Sequence, residues 1–301
     1  MDIAYFTKTL EGLPVETAAE ITAELGFDCA DLLIREGHAV SPDRPEEIVK
    51  AGKLFAAAGL RIPMATIDAT QPDDPASRLL ACCGEAGIGQ IRLGFWRYDP
   101  SRRWQVQFDE ARRDLDGFER LADKFGIKLT IQLHGGTLHA SGALAAQLLA
   151  GRDTMRIGAY PDPANQLIRE GSEDWRLTLD LLDPWFCCMG VKNCGWFPGA
   201  YGTHGQRAWH SDWYGLDEGM VPWNDIVPHL IATGFAGVLS VHSQYRLPRE
   251  QAIDKARADL AHLRRLVAAA KEQDHEQTGA RHCRPFDRKD PPHDAGRCGD
   301  R

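Results

Sequence analysis

The chain has 301 residues, 43% of them hydrophobic and 26% charged, with a formal net charge of −8. That size and apolar content can bury a large core as one domain or two. The acidic balance argues against nucleic acid as a partner, because proteins that grip phosphates as a rule present basic surfaces, and no apolar run approaches the ~20 residues that cross a bilayer.

Taken in chain order, short apolar runs alternate with amphipathic stretches. "DIAYF" reads as a strand and "PVETAAEITAELG" as the helix after it; "DCADLLI" is followed by "RPEEIVKAGKLFAAAG". Then come the strands "LRIPMAT" and "QIRLG", the helix "DEARRDLDGFERLADKFG", the strand "KLTIQL" and the helix "SGALAAQLLAG". "MRIGAY", "FCCMGVK" and "AGVLSVH" complete the strand set. Several helical stretches begin near Pro, Asp or Ser and end in Gly, as helix boundaries do. About eight such units predict an α/β fold, a (β/α)8 TIM barrel over residues 1–270. A doubly wound sheet competes poorly, since no GxGxxG follows the first strand. From residue 271 onward, "KEQDHEQTGARHCRPFDRKDPPHDAGRCGDR" is dense in charge and lacks apolar periodicity, which predicts a disordered tail over 271–301.

The opening "MDIAYFTKTLEGLP" has neither a basic n-region nor an apolar h-region, so a cytoplasmic location with reduced cysteines is expected. The adjacent pairs Cys82-Cys83 and Cys187-Cys188, with no CxxC, are poorly spaced for a zinc ribbon. Cys29, Cys187 and Cys188 read as buried small hydrophobes.

Strand alternation also locates a site. In "KLTIQLHGG" Leu129, Ile131 and Leu133 share one face, and Thr130, Gln132 and His134 share the other. The same test puts Tyr160, with Asp162 just beyond it, Lys192 and His242 on the non-aliphatic faces of the next three strands. In a barrel, chemistry sits at the C-terminal strand ends. Burying unpaired polar tips there costs ~1–3 kcal/mol each, so Gln132, His134, Asp162, Lys192 and His242 are predicted to meet in one mouth. Arg35 and His38 leave the second strand, and Arg92 and Arg97 flank the fourth; a loop holding Arg and His can grip hydroxyls or a phosphate. Trp96, Tyr98, Trp175, Trp196 and Trp209 also lie near strand ends, and some of them belong to the core.

The ordered segments "YFTKTLEGL", "DLLIREGHAVSPD", "RLGFWRYDP", "IQLHGG", "YPDPANQLIREGSEDW", "VKNCGWF", "LDEGMVPW" and "GFAGVLSVHSQY" resemble the xylose isomerase-like TIM barrels. These are the sugar phosphate isomerases/epimerases, related to endonuclease IV. The resemblance implies a small-molecule carbohydrate substrate, with Arg35, His38, Arg97, Gln132, Asn165 and Trp196 as substrate-binding candidates. It also implies one divalent ion (Mn, Zn or Mg) held by Glu, Asp, His and Glu from the last four strands. Here those positions carry Gln132, Asp162, Gly190 and His242. Asp162, His242 and Gln132, with His134, remain candidate ligands, but a metal-free pocket is the preferred expectation.

The expected reaction is isomerisation or epimerisation of a sugar-derived carbonyl compound by proton abstraction next to the carbonyl. His134, His242 or Asp162 would be the base and Lys192 the oxyanion partner. A histidine titrating near ~6.5 would suit that task. The alternatives are a keto-sugar glycoside lyase or hydrolase and a catalytically degenerate sugar-binding barrel. Endonuclease activity is rejected, because the carboxylates of a multi-zinc cluster are missing. No Gly-rich phosphate cradle is present either, and the sequence leaves a homo-oligomer open.

Overall fold

In the computed structural model, which describes residues 2–169 and 173–282, eight strands form one parallel sheet curled into a barrel. They are β1 (Asp2–Phe6), β2 (Cys29–Leu33), β3 (Arg61–Thr66), β4 (Gln90–Arg92), β5 (Lys128–Gln132), β6 (Ile157–Tyr160), β7 (Cys188–Val191) and β10 (Val238–Val241). β1 pairs with both β2 and β10, and β10 with β7, so the chain ends close the ring. β6 and β7 meet through the bridge Ala159–Phe186 and a Gly190 N–H to Pro161 carbonyl bond of 3.1 Å.

The period-two pattern does what it predicts. Leu129, Ile131, Ile157, Ala159, Met189, Val191, Leu239 and Val241 face the outer helices, in a core with Leu115, Phe118, Leu148 and Ile226. The opposite faces fill the barrel in layers. Residues at strand starts, Cys29, Cys188 and Val238, pack with Ala4, Met64 and Tyr160 as an apolar floor. Above it lie Asp31, Thr66, Thr130 and Ser240, all buried. The interior of such barrels is as a rule filled by branched apolar residues, so a polar layer there marks where packing gives way to chemistry.

The helical segments form α1 (Val15–Glu24), α2 (Glu47–Ala57), α3 (Asp74–Glu85), α4 (Trp104–Phe125), α5 (Gly142–Leu149), α6 (Pro163–Arg169), α7 (Trp175–Leu182) and α8 (Trp223–Ala232). Their ends follow local chemistry: Asp73 and Ser141 cap α3 and α5 through side-chain oxygens, and Gly126 ends α4 at φ +66. The last helix, α9 (Arg249–His282), runs past residue 270 and takes in the first residues of the expected tail; residues 283–301 lie outside the described residues.

One element departs from the alternating pattern. After β7 the chain makes an antiparallel hairpin, β8 (Asn193–Tyr201) and β9 (Arg207–Tyr214). It stands at the C-terminal end of the barrel, where βα loops build sites.

Candidate functional site

A cavity of about 280 Å³ opens at the barrel mouth, and Gln132, His134, Asn165, Lys192 and His242 line it. It lies at the small end of the ~300–1,000 Å³ usual for ligand sites. A larger cavity of about 580 Å³ lies outside the mouth, between Tyr98, Trp104 and the loop 136–141. Its Glu173 carboxylate is engaged by the Gly142 and Ala143 N–H groups at 2.6 and 3.2 Å and by the Thr178 hydroxyl. The smaller cavity is therefore the one with groups free to react.

Asp162 organises the second half of the mouth without touching the cavity. It is fully buried just before α6, and its Oδ1 accepts the Asn165 N–H at 2.9 Å, capping the helix. Its Oδ2 accepts Gln132 Nε2 at 2.7 Å and pairs with Lys192 Nζ at 3.1 Å. Lys192 Nζ also lies 4.8 Å from the ring centre of Trp213 on β9, so the hairpin covers the ammonium from above. Gly190 explains the close approach: a Cβ there would lie 2.7 Å from Asp162 Oδ2 and 3.1 Å from its Cγ.

A second network fixes His242. The Lys8 ammonium can only donate, so Gln244 Oε1 accepts from it at 3.5 Å and Gln244 Nε2 faces His242 Nδ1 at 3.4 Å. The other nitrogen, Nε2, then donates to the Tyr160 hydroxyl oxygen at 2.8 Å. A directed chain thus runs from the Lys8 ammonium through Gln244 and His242 to the Tyr160 hydroxyl. In the layer below, Ser240 donates to Asp31 Oδ2 at 2.7 Å. Burial, then Lys192, Arg92 and Lys8, holds the His242 imidazole far below its ordinary pKa. Burial raises Asp31 to about 6 against the opposing effect of the Ser240 bond.

His134 differs in having a free nitrogen. Its Nδ1 faces the Gly135 carbonyl at 2.8 Å. A carbonyl only accepts, so the proton sits on Nδ1 and the lone pair on Nε2. Burial brings His134 down to about 4, with the Gly135 bond opposing and Lys192 assisting. The expected titration near ~6.5 is therefore corrected for both histidines: desolvation and neighbouring cations disfavour the imidazolium.

The other candidates divide. Arg35 lines the mouth and is held by Asp68 through two bonds of 2.6 Å. His38 does not reach it. The loop turns back after Arg35, whose N–H bonds to the Val40 carbonyl at 3.0 Å, and His38 lines a separate surface cleft with Pro14 and Ser41. Arg97 is exposed and covers Phe95 from outside, its guanidinium 5.2 Å from the ring centre. Trp196 donates its indole N–H to the Leu167 carbonyl at 2.9 Å and is absent from the lining. Trp96, Tyr98, Trp175 and Trp209 are likewise absent; the aromatic lining comes from Phe6, Phe95 and Trp213. The alternation test, which places Tyr160, would also have found Asp31 had it been applied to β2. Lys8 sits in a 3₁₀ turn after β1 that has no such period.

The donors present do not fit the divalent ion that the resemblance implies. Asp162 Oδ2 already takes two donors, one of them cationic. Glycine at 190 offers no ligand and leaves no room for one, and both His242 nitrogens are engaged. Among the described residues no three His, Cys, Asp or Glu side chains are placed to share an ion.

The profile of the xylose isomerase-like TIM barrel family matches residues 19–266. No curated protein is a significant match by sequence. Among solved structures, an L-ribulose 3-epimerase aligns with TM-score 0.71 at 16% identity, covering 94% of this chain and 99% of that one. The apo 3-keto-D-glucoside 4-epimerase of E. coli aligns at 0.67 and 15%, covering 88% and 99%. A xylose isomerase-like protein from Mycobacterium smegmatis in complex with magnesium aligns at 0.67 and 17%, covering 89% and 97%. Identities this low show the shared fold alone. No described helix is long and apolar enough to cross a membrane.

Proposed function

The chain belongs to the xylose isomerase-like TIM barrel family, and on that footing we propose that its mouth isomerises or epimerises a small sugar-derived carbonyl compound without a divalent ion. The observation that carries this reading is the His134 tautomer. Nδ1 is tied to the Gly135 carbonyl, which leaves a bare Nε2 on a cavity-lining ring that shares the cavity with the Lys192 ammonium. His134 removes the proton beside the carbonyl, and Lys192, held in place by Asp162, stabilises the enediolate oxygen. Gln132, Asn165 and Arg35 bind the hydroxyls. His242 has both nitrogens committed and acts as a fixed wall stacked on Phe6, with ring centres 4.4 Å apart. His134, lowered to about 4, stays in its basic form at neutral pH. Isomerisation returns the proton from His134 to the former carbonyl carbon while the adjacent hydroxyl proton passes to the enediolate oxygen; epimerisation returns a proton to the original carbon from the opposite face.

The test is incubation with a panel of ketoses and sugar-derived keto acids in D2O, followed by NMR. A substrate takes up solvent deuterium at the carbon beside the carbonyl. His134→Asn, folded by circular dichroism, loses exchange by the ~10²–10⁴-fold that general-base catalysis contributes. Undiminished exchange in that variant refutes the assignment. An eliminated product would move the reaction to the lyase class while keeping the same proton abstraction.

A further inference from the structure

Four cationic side chains line the mouth, Lys8, Arg35, Arg92 and Lys192, and no carboxylate lines it with them. Asp68 neutralises Arg35 and Asp162 neutralises Lys192. Lys8 and Arg92 are left over. The Lys8 ammonium reaches only the Gln244 amide oxygen, at 3.5 Å. The Arg92 guanidinium is 4% exposed; its Nη1 donates to the carbonyls of Leu93 and Ile67 at 2.8 and 3.4 Å, and its Nε is buried with no partner. Among the described residues neither has a carboxylate within ion-pair distance. Even with Asp31 counted one layer below, the positive groups exceed the negative ones.

Buried charge without a counter-charge is costly, and these cations also repel one another. Burial, followed by Arg35, Lys192 and Arg92, holds the Lys8 ammonium below its ordinary pKa. The arrangement persists because the rest of the fold over-determines it, and a ligand of opposite sign would relieve it. The cations are also sorted in space. Lys8, Arg35 and Arg92 follow or end β1, β2 and β4, in the first half of the barrel, while His134, Asp162 and Lys192 come from β5, β6 and β7. One wall thus attracts charge and the other carries the reacting groups.

We infer that the substrate is an anion: a small polyhydroxylated carbonyl compound bearing a carboxylate or phosphate, whose charged end lies against Lys8 and Arg92 and whose carbonyl end reaches Lys192 and His134. This deepens the proposed isomerase reading and rests on it for the orientation; the anion site itself is measured without turnover.

The experiment is calorimetric and thermal-shift titration of the intact chain with sodium phosphate, D-gluconate and the uncharged D-glucitol, in chloride at low and high ionic strength. Expected is binding of at least one anion, weakened tenfold or more by Lys8→Gln and by raising the salt, with D-glucitol inert at matched concentration. Phosphate alone identifies a phosphorylated substrate, and gluconate alone a sugar acid. Because Arg92→Gln disturbs a buried residue, the half-buried Lys8→Gln carries the test, with Lys8→Arg, which keeps the charge and is expected to keep the binding, as its second variant. D-glucitol binding as tightly as the anions, or no response to any probe, overturns the inference. His134→Asn keeps anion binding in either case. Anion binding without proton exchange on any substrate therefore sinks the isomerase reading alone, and exchange on an uncharged ketose without anion binding sinks this one alone.

Discussion

Gly190→Ala is the most discriminating perturbation of the mouth. The new methyl would sit 2.7 Å from Asp162 Oδ2, 3.1 Å from Asp162 Cγ and 3.3 Å from Tyr160 Cε2. The first of these is roughly 0.7 Å short of ordinary contact at ~3.4 Å. Asp162 cannot retreat cheaply, because it is fully buried and its two oxygens hold the Asn165 N–H, the Gln132 amide and the Lys192 ammonium. Overpacking of this kind costs about 1–3 kcal/mol, and weakening one buried hydrogen bond adds ~1 kcal/mol. Loss of glycine's unfolded-state freedom offsets ~0.5–1 kcal/mol. The net expectation is about 2 kcal/mol, which for a domain of this size lowers Tm by roughly 4–8 °C. Thermal unfolding followed by circular dichroism reads the loss. Solvent deuterium exchange, falling further than stability alone requires, reads the displacement of Lys192. An alanine variant with unchanged Tm and unchanged exchange would mean that Asp162 does not sit against Gly190, and the account of the mouth would fail.

Lys192→Met leaves the Asp162 carboxylate buried without its cation and is expected to cost about 3–5 kcal/mol, while Lys192→Met with Asp162→Asn recovers at least half of that in chemical denaturation. The acid limb of kcat/KM is expected near pH 4 and not near 6.5. The His134 pKa is depressed to about 4, so its lone pair is available above that pH and lost as pH falls through it; a pH–rate profile checks this, and His134→Asn removes the limb. Dialysis against EDTA is expected to leave exchange within twofold, and added Mn²⁺ or Mg²⁺ to leave it unraised, in a metal-quantified preparation.

The barrel and the meeting of Gln132, His134, Asp162, Lys192 and His242 were legible because both rest on one signal, the period-two alternation of β5, β6, β7 and β10. Where that signal stops, so does the reading. Lys8 lies in a turn, and Trp213 is brought over the mouth by a hairpin whose Gly195, Pro198 and Gly199 disguise β8 as loop. Arg35 and His38 looked equivalent in sequence, yet the tight return of the chain at Val40 parts them. The titration of His134 and His242 was misjudged for a different reason: desolvation and the positions of Lys192 and Arg92 are properties of the assembled mouth, and no single strand contains them.

The departures from the metal-bearing pattern form one electrostatic system. A divalent ion balances several carboxylates, whereas the single charge of Lys192 balances one. With an ammonium in that place, a second acid at position 132 would set two carboxylates about 2.7 Å apart, where one must take up a proton. Gln132 avoids this by donating to Asp162 instead. A histidine at 190 would collide with the same oxygen, and a carboxylate at 242 could not donate to the Tyr160 oxygen as His242 Nε2 does. Glycine at 190 and glutamine at 132 are therefore matched to the Asp162–Lys192 pair: a side chain at 190 meets the carboxylate, and an acid at 132 faces it as a second negative charge. Asp162 balances the fixed ammonium of Lys192, so the surplus positive charge of the mouth rests on Lys8 and Arg92, where an anionic substrate would neutralise it.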